Sequence, residues 1–226
     1  MKKLLASSVI AAAAFAGVTA PAMGDVSANV GFVTDYYYRG LNLGDAGMDA
    51  GIDYEQSGFY VGAWAIDDGV SGNGGMEYDI YFGYGLEVNG VSLGIGYTSY
   101  QYTYTSDQED EINLSVGYGQ FSFDYAVGED SNDSAGISHA DYDYDFYSLS
   151  WSGDIFAAVV GHYDSDKTTT VVDAEYSYIE LSASGEISGF DISAIIGTAF
   201  DTEVGGIDIH DTDGYMLLDV SKTFDL

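Results

Sequence analysis

The sequence contains no cysteine and a single proline, Pro21, in 226 residues. The first absence excludes a disulfide scaffold and thiol chemistry. The second leaves everything beyond Pro21 free for unbroken β-strands, because proline removes a ladder hydrogen bond. Bases are scarce: five Lys+Arg stand against 37 Asp+Glu. A polyanion of this kind excludes nucleic acid as a natural partner. Beyond the N-terminal run, no stretch approaches the roughly 18 apolar residues that a membrane-spanning helix needs. A membrane crossing would have to use strands.

The acids are dispersed among 21 Tyr, 11 Phe and 30 Gly rather than gathered in a tail. Disordered acidic chains are poor in aromatics, so a folded domain is expected. Adaptation to a saline habitat would account for much of the acidity. That reading competes with any role for the acids in tuning a pore.

Lys2 and Lys3 precede an apolar run, Leu4 to Ala20, followed by small residues at Ala20, Ala22 and Gly24. This is the pattern of a secretory signal, which places cleavage after Gly24 and leaves residues 25–226 as one domain. Only Arg39, Lys167 and Lys222 then remain as bases.

The segment Ser27 to Gly40 reads as one long strand. Ala28, Val30, Phe32, Thr34, Tyr36 and Tyr38 form one face; Ser27, Asn29, Gly31, Asp35, Tyr37 and Arg39 form the other. Successive strand side chains point to opposite faces, so one side meets an apolar phase and the other water. About eleven later segments repeat the pattern, of which Met76 to Leu86 is the clearest. Phe59–Ile66 and Ile155–Tyr163 are apolar on both faces, and their outward side is not legible. Tyr142, Tyr144 and Phe146 have the opposite parity to Tyr147, Leu149 and Trp151, so a bulge or a strand start near Phe146 is expected.

The connections alternate in length. Short ones fall at Gln56–Gly58, Glu87–Gly90, Gly119–Gln120, Ser152–Asp154 and Gly185–Gly189. Long ones fall at Leu41–Gly47, Asp67–Gly75, Thr103–Asp110, Glu129–Asp141, Asp164–Thr170 and Asp201–Gly214. The expected fold is all-β: a closed, antiparallel, up-and-down transmembrane barrel of about twelve strands, the arrangement of outer-membrane barrels. A soluble barrel would alternate too, with its apolar face inward. The polar face rich in Gly, Ser and acids, and tyrosines near the ends of the apolar faces, favour the membrane arrangement. Closure follows physically, since an open sheet edge would strand unpaired N–H and C=O groups in hydrocarbon.

Val33-Thr-Asp-Tyr-Tyr-Tyr-Arg-Gly40, followed by Ser57-Gly-Phe-Tyr-Val-Gly62 and Glu77-Tyr-Asp-Ile-Tyr-Phe-Gly83, resembles the signature of the TorF porin family, also seen as the Gcw_chp conserved hypothetical family. The resemblance runs from about Ser27 to Phe224. It implies a bacterial outer-membrane location and a porin role, with no catalytic residues to carry over. The two residues after Phe224 and the very acidic loops depart mildly from the pattern.

The chain is therefore expected to be a channel for passive diffusion of small cationic or neutral solutes, not an enzyme. The alternative is a structural or adhesive barrel with a plugged lumen. His139, His162 and His210 show no nucleophile elbow beside them. Acidic loops such as Glu129–Asp141 and Asp201–Asp213 hold only the fragment Asp211-Thr-Asp213-Gly214 of a calcium loop, and no cofactor or metal is expected. The expected partners are the lipid bilayer, lipopolysaccharide, small solutes and the barrel assembly machinery, which would engage the last strand ending near Phe224. Alternation turns Asp35, Arg39, Asp49, Asp53, Glu77, Asp79 and Tyr81 into the lumen as candidate pore-lining residues, where charge tunes selectivity. Arg39 is expected to pair with a carboxylate on a neighbouring strand, such as Asp49 or Asp79.

Overall fold

The structure is a computed structural model that describes residues 24–67, 75–104, 107–132, 142–165, 174–204, 207–210 and 214–226. Residues 1–23, expected to be a leader, His139, Lys167 and large parts of the long acidic loops lie outside the described residues. The strands in chain order are β1 (Asp25–Val33), the short β2 (Tyr36–Tyr38) and β3 (Leu41–Gly44), β4 (Gly47–Gln56), β5 (Phe59–Asp67), β6 (Met76–Val88), β7 (Val91–Tyr102) and β8 (Asp107–Tyr118). They continue as β9 (Phe121–Asn132), β10 (Tyr142–Ser152), β11 (Phe156–Ser165), β12 (Ala174–Ile187), β13 (Phe190–Val204), the short β14 (Ile207–His210) and β15 (Tyr215–Asp225). β1 pairs with both β4 and β15, β12 pairs with β13, and β13 pairs with β15, so the twelve long strands close on themselves without an edge. All the pairings are antiparallel.

Tight turns of two or three residues join strands at one end, the end that also holds Asp25 and Asp225. Ser57-Gly58, Asn89-Gly90 and Ser188-Gly189 all have positive φ at both residues, the geometry whose twist matches paired strands. The long connections lie at the opposite end.

The wall is inverted relative to a soluble barrel. Met48, Ile52, Ile80, Ile95, Leu149 and Leu181 point outward and are exposed, while Asp49, Glu77, Asp79 and Asp219 are buried on the inside. The two ambiguous strands resolve: β5 turns Phe59 and Val61 out and Tyr60 and Ile66 in, and β11 turns Phe156 and Val160 out. No bulge occurs near Phe146. β10 keeps continuous register with β9 and β11, and Tyr144 and Phe146 are buried on the inward face that continues through Ser148. The apparent parity conflict arose because this inward face is aromatic at one end and seryl at the other.

The first strand is shorter than its alternation implies. β1 ends at Val33, and the final rung is made by Thr34, whose N–H donates to Leu218 O at 3.0 Å while its Oγ1 accepts from Leu218 N–H at 3.0 Å. The chain then leaves the wall. Residues 36–44 form a separate two-stranded hairpin, β2–β3, with no backbone pairing to the barrel.

Candidate functional site

The β2–β3 hairpin folds into the long-loop half of the lumen. Its tip is Arg39-Gly40, with φ 49 and 83. This is the same turn chemistry as the hairpins at the opposite end, carried by a residue that adopts positive φ only at a cost. A Cβ on Gly40 would lie 2.4 Å from Tyr178 Cβ, so glycine is what lets the tip press against β12.

Side chains fasten the hairpin to walls all round it. Tyr36 is 1% exposed and donates to Glu77 Oε1 on β6 at 2.9 Å. Its ring packs with Val33 and Ile66, beside Trp64. Tyr37 stacks on Tyr215 of β15 with ring centroids 3.8 Å apart. Tyr38 shares a 2.8 Å hydrogen bond with Tyr100 of β7. Leu41 packs on a cluster formed by Ala126, Phe146, Tyr176, Tyr178 and Ala199. Burial raises the Tyr36 hydroxyl well above the ordinary tyrosine value, and Glu77 adds to it; burial does the same at Tyr38. Both stay neutral hydrogen-bonding groups at physiological pH.

Arg39 makes the strongest contact. Nη1 and Nη2 each donate to one oxygen of Glu111 on β8 at 2.8 Å. The guanidinium carbon lies 3.8 Å from the Phe146 ring centre and 4.7 Å from that of Tyr38. Glu111 is 1% exposed and also accepts from Tyr144 Oη at 3.0 Å and from Asn113 Nδ2. Bidentate pairing with ring stacking is a role that lysine does not reproduce.

The seven candidate residues therefore divide. Asp49 and Asp53 on β4, and Glu77, Asp79 and Tyr81 on β6, lie on the inward face of the wall. Asp49 accepts from Trp64 Nε1 at 3.1 Å, and Asp53 accepts from Tyr81 Oη at 2.5 Å. Asp35 sits in the bend that releases the hairpin, and Arg39 at its tip, so neither belongs to the wall. The expected pairing of Arg39 with Asp49 or Asp79 is replaced by Glu111, because the hairpin carries Arg39 across the lumen rather than up its own strand. Glu111 was missed, since it directly follows the expected long connection Thr103–Asp110 and lies 72 residues from its partner. Apart from Tyr81, the inward tyrosines were not among the candidates. Tyr100, Tyr144, Tyr176 and Tyr178 are all buried inside the barrel, whereas Tyr78, Tyr84, Tyr118 and Tyr147 are exposed outside as expected of a girdle.

His162 faces outward, with Nδ1 3.0 Å from Ser177 Oγ and Nε2 3.6 Å from Glu175, away from the lumen. His210 lies on β14 and its side chain is outside the description. Among the described residues no group of three or more His, Asp or Glu is placed to hold a metal ion, and no helix is long and apolar enough to cross a membrane.

The fold is similar to that of a solved porin and of other solved membrane proteins. A KdgM porin superposes with a TM-score of 0.56 at 7% identity, covering 88% of this chain and 99% of that one. A second structure, reported in work on in-meso crystallization of membrane proteins, superposes with a TM-score of 0.54 at 10% identity, covering 89% and 83%. The outer-membrane protein opdK from Pseudomonas aeruginosa gives 0.47 at 12% identity over 81% of this chain and 58% of its own. No curated protein matches the sequence. Residues 16–213 match the profile of a family described as bacterial protein of unknown function, Gcw_chp, and the chain belongs to that family.

Proposed function

We propose that the protein is an outer-membrane, TorF-type porin through which small cationic or neutral solutes diffuse passively. The observation that carries this reading is the inverted, closed wall: apolar outside, and on the short-turn side small and polar within. There Ser92, Gly94, Ser115, Ser122, Ser182 and Ser184 are all incompletely buried and leave room for water. Asp53 and Tyr81 line this passage, and Asp49, Glu77 and Asp79 lie buried on its long-loop side, where Glu77 meets the hairpin. The one base described inside is Arg39, already committed to Glu111, so the net field favours cations. The apolar belt meets the bilayer, the long loops meet lipopolysaccharide, and the closing strand ending near Phe224 engages the assembly machinery after the leader is removed near Gly24. The lumen performs no chemistry in this reading.

The hairpin favours a second reading, a structural or adhesive barrel with a plugged lumen. Single-channel recording of the refolded mature chain separates the two when paired with a variant in which residues 36–44 are replaced by a short Gly-Ser linker. Current in either protein supports a passage. Silence in both, from barrels showing heat-modifiable gel mobility, leaves the structural reading.

A further inference from the structure

The Arg39 guanidinium occupies a site built almost wholly from the wall. Glu111 presents both oxygens to the planar fork at 2.8 Å, and Tyr144 and Asn113 orient that carboxylate. Phe146 supplies a ring face 3.8 Å from the guanidinium carbon. These four residues come from β8 and β10, and only Tyr38 arrives with the hairpin. Withdrawing the hairpin would therefore leave the recognition elements of a guanidinium site in place.

Three features mark Arg39 as a replaceable occupant. The hairpin forms no backbone hydrogen-bond ladder with the barrel. Arg39 is held at φ 49, a left-handed conformation that withdrawal would relieve. Its Nε is buried without a hydrogen-bond partner, so the fit to this fork is incomplete. Removing a guanidinium from buried Glu111 is costly because it strands the carboxylate, but exchanging one guanidinium for another is not. The approach also suits a cation: Glu109 and Asp130 are direct cross-strand partners on the inward faces of β8 and β9, one step closer to the long-loop end than Glu111.

We propose that Glu111, Phe146, Tyr144 and Asn113 form a binding site for solute guanidinium groups, that Arg39 fills it as an internal ligand, and that an alkylguanidinium displaces Arg39 and frees the hairpin. The displacement step rests on reading the lumen as a passage; the site itself does not.

The test uses the full mature barrel in detergent and in planar bilayers, with agmatine as the probe and choline as a cation lacking the fork. Arg39→Ala should bind agmatine at least about tenfold more tightly than the wild type by calorimetry, since the internal competitor is gone. Choline should bind about tenfold more weakly than agmatine, and Glu111→Gln added to Arg39→Ala should abolish agmatine binding. In the wild type, millimolar agmatine should raise conductance saturably at constant ionic strength. Equal agmatine affinity in wild type and Arg39→Ala, or binding indifferent to Glu111→Gln, overturns the site. Should Arg39→Ala fail to assemble, Arg39→Lys, which keeps the charge and loses the fork, replaces it in the same comparison. Agmatine binding with no current in any variant upholds the site and sinks the passage. Current that ignores agmatine, without binding, upholds the passage and sinks the site.

Discussion

The two halves of the lumen are made from the same strands with the same alternation, yet they differ in kind. The inward face of β10 runs from Tyr144 and Phe146 near the long loops to Ser148 and Ser150 toward the short turns. That of β12 runs from Tyr176 and Tyr178 to Ser182 and Ser184, and that of β7 from Tyr102 and Tyr100 to Gly94 and Ser92. Aromatic side chains need partners to bury against, and the hairpin supplies them. Small residues need none, and those of the short-turn half are incompletely buried. A single amphipathic pattern thus encodes a wall, while the change of residue size along it encodes where an internal element docks.

The most severe way to break this contrast is to remove the hairpin's anchor. Glu111→Ala leaves Arg39 as an unpaired buried charge beneath Tyr38 and Phe146. Stranding one partner of a buried pair costs about 3–5 kcal/mol. The hairpin should detach, so amides of residues 36–44 should lose protection from hydrogen exchange while those of β8 and β9 keep it. Unchanged protection across the hairpin would show that the tyrosine contacts alone hold it.

A smaller loss is expected at the tip. Gly40→Ala places a methyl group against Tyr178 and forces a left-handed conformation on a residue with a Cβ. The left-handed penalty alone is about 1–2 kcal/mol. The urea midpoint of the detergent-solubilised barrel should fall modestly, with conductance noise rising as the hairpin loosens. The equivalent change at Gly90, which meets only Tyr118 at 3.9 Å, should cost the backbone penalty without altering conductance.

The difference between these halves also explains what was legible in the sequence. Strand number, closure and the outward face of most strands follow from alternation and from connection lengths, both local properties. The hairpin did not, because Tyr36-Tyr37-Tyr38 has strong strand propensity and continues the parity of β1 through Thr34 and Asp35. The usable signal was the pair Arg39-Gly40, which matches Ser57-Gly58, Asn89-Gly90 and Ser188-Gly189 in backbone conformation. Arginine is not a residue one expects at positive φ, so the turn was hidden. Glu111 was beyond reach, since its importance comes from a partner brought across the lumen by that turn. Of the candidate lining residues, those on β4 and β6 could be placed by parity because those strands are regular.

Extending the aromatic half into the small-residue half should sharpen the contrast with little effect on stability. Ser115 faces inward opposite Gly94, which leaves space beside it. Ser115→Tyr should assemble normally, shift the unfolding midpoint only slightly, and lower single-channel conductance markedly. A conductance equal to that of the wild type would mean that the short-turn half does not limit flow.

The smallest effect is expected from neutralising one carboxylate in that half. Asp53 lies inside the barrel near the short turns and accepts the Tyr81 hydroxyl. In Asp53→Asn the amide oxygen still accepts that hydrogen bond, so packing is preserved and only the charge is lost. The remaining inward acids keep the sign of the field, so cation preference should decline rather than reverse. The decline should be clearest at low salt, because the Debye length falls from about 10 Å at 0.1 M to about 3 Å at 1 M. Reversal potentials in a tenfold potassium chloride gradient read this directly. A shift of equal size at both ends of the salt range would place the effect in local geometry rather than in charge, and an increase in cation preference would remove Asp53 from the conducting path.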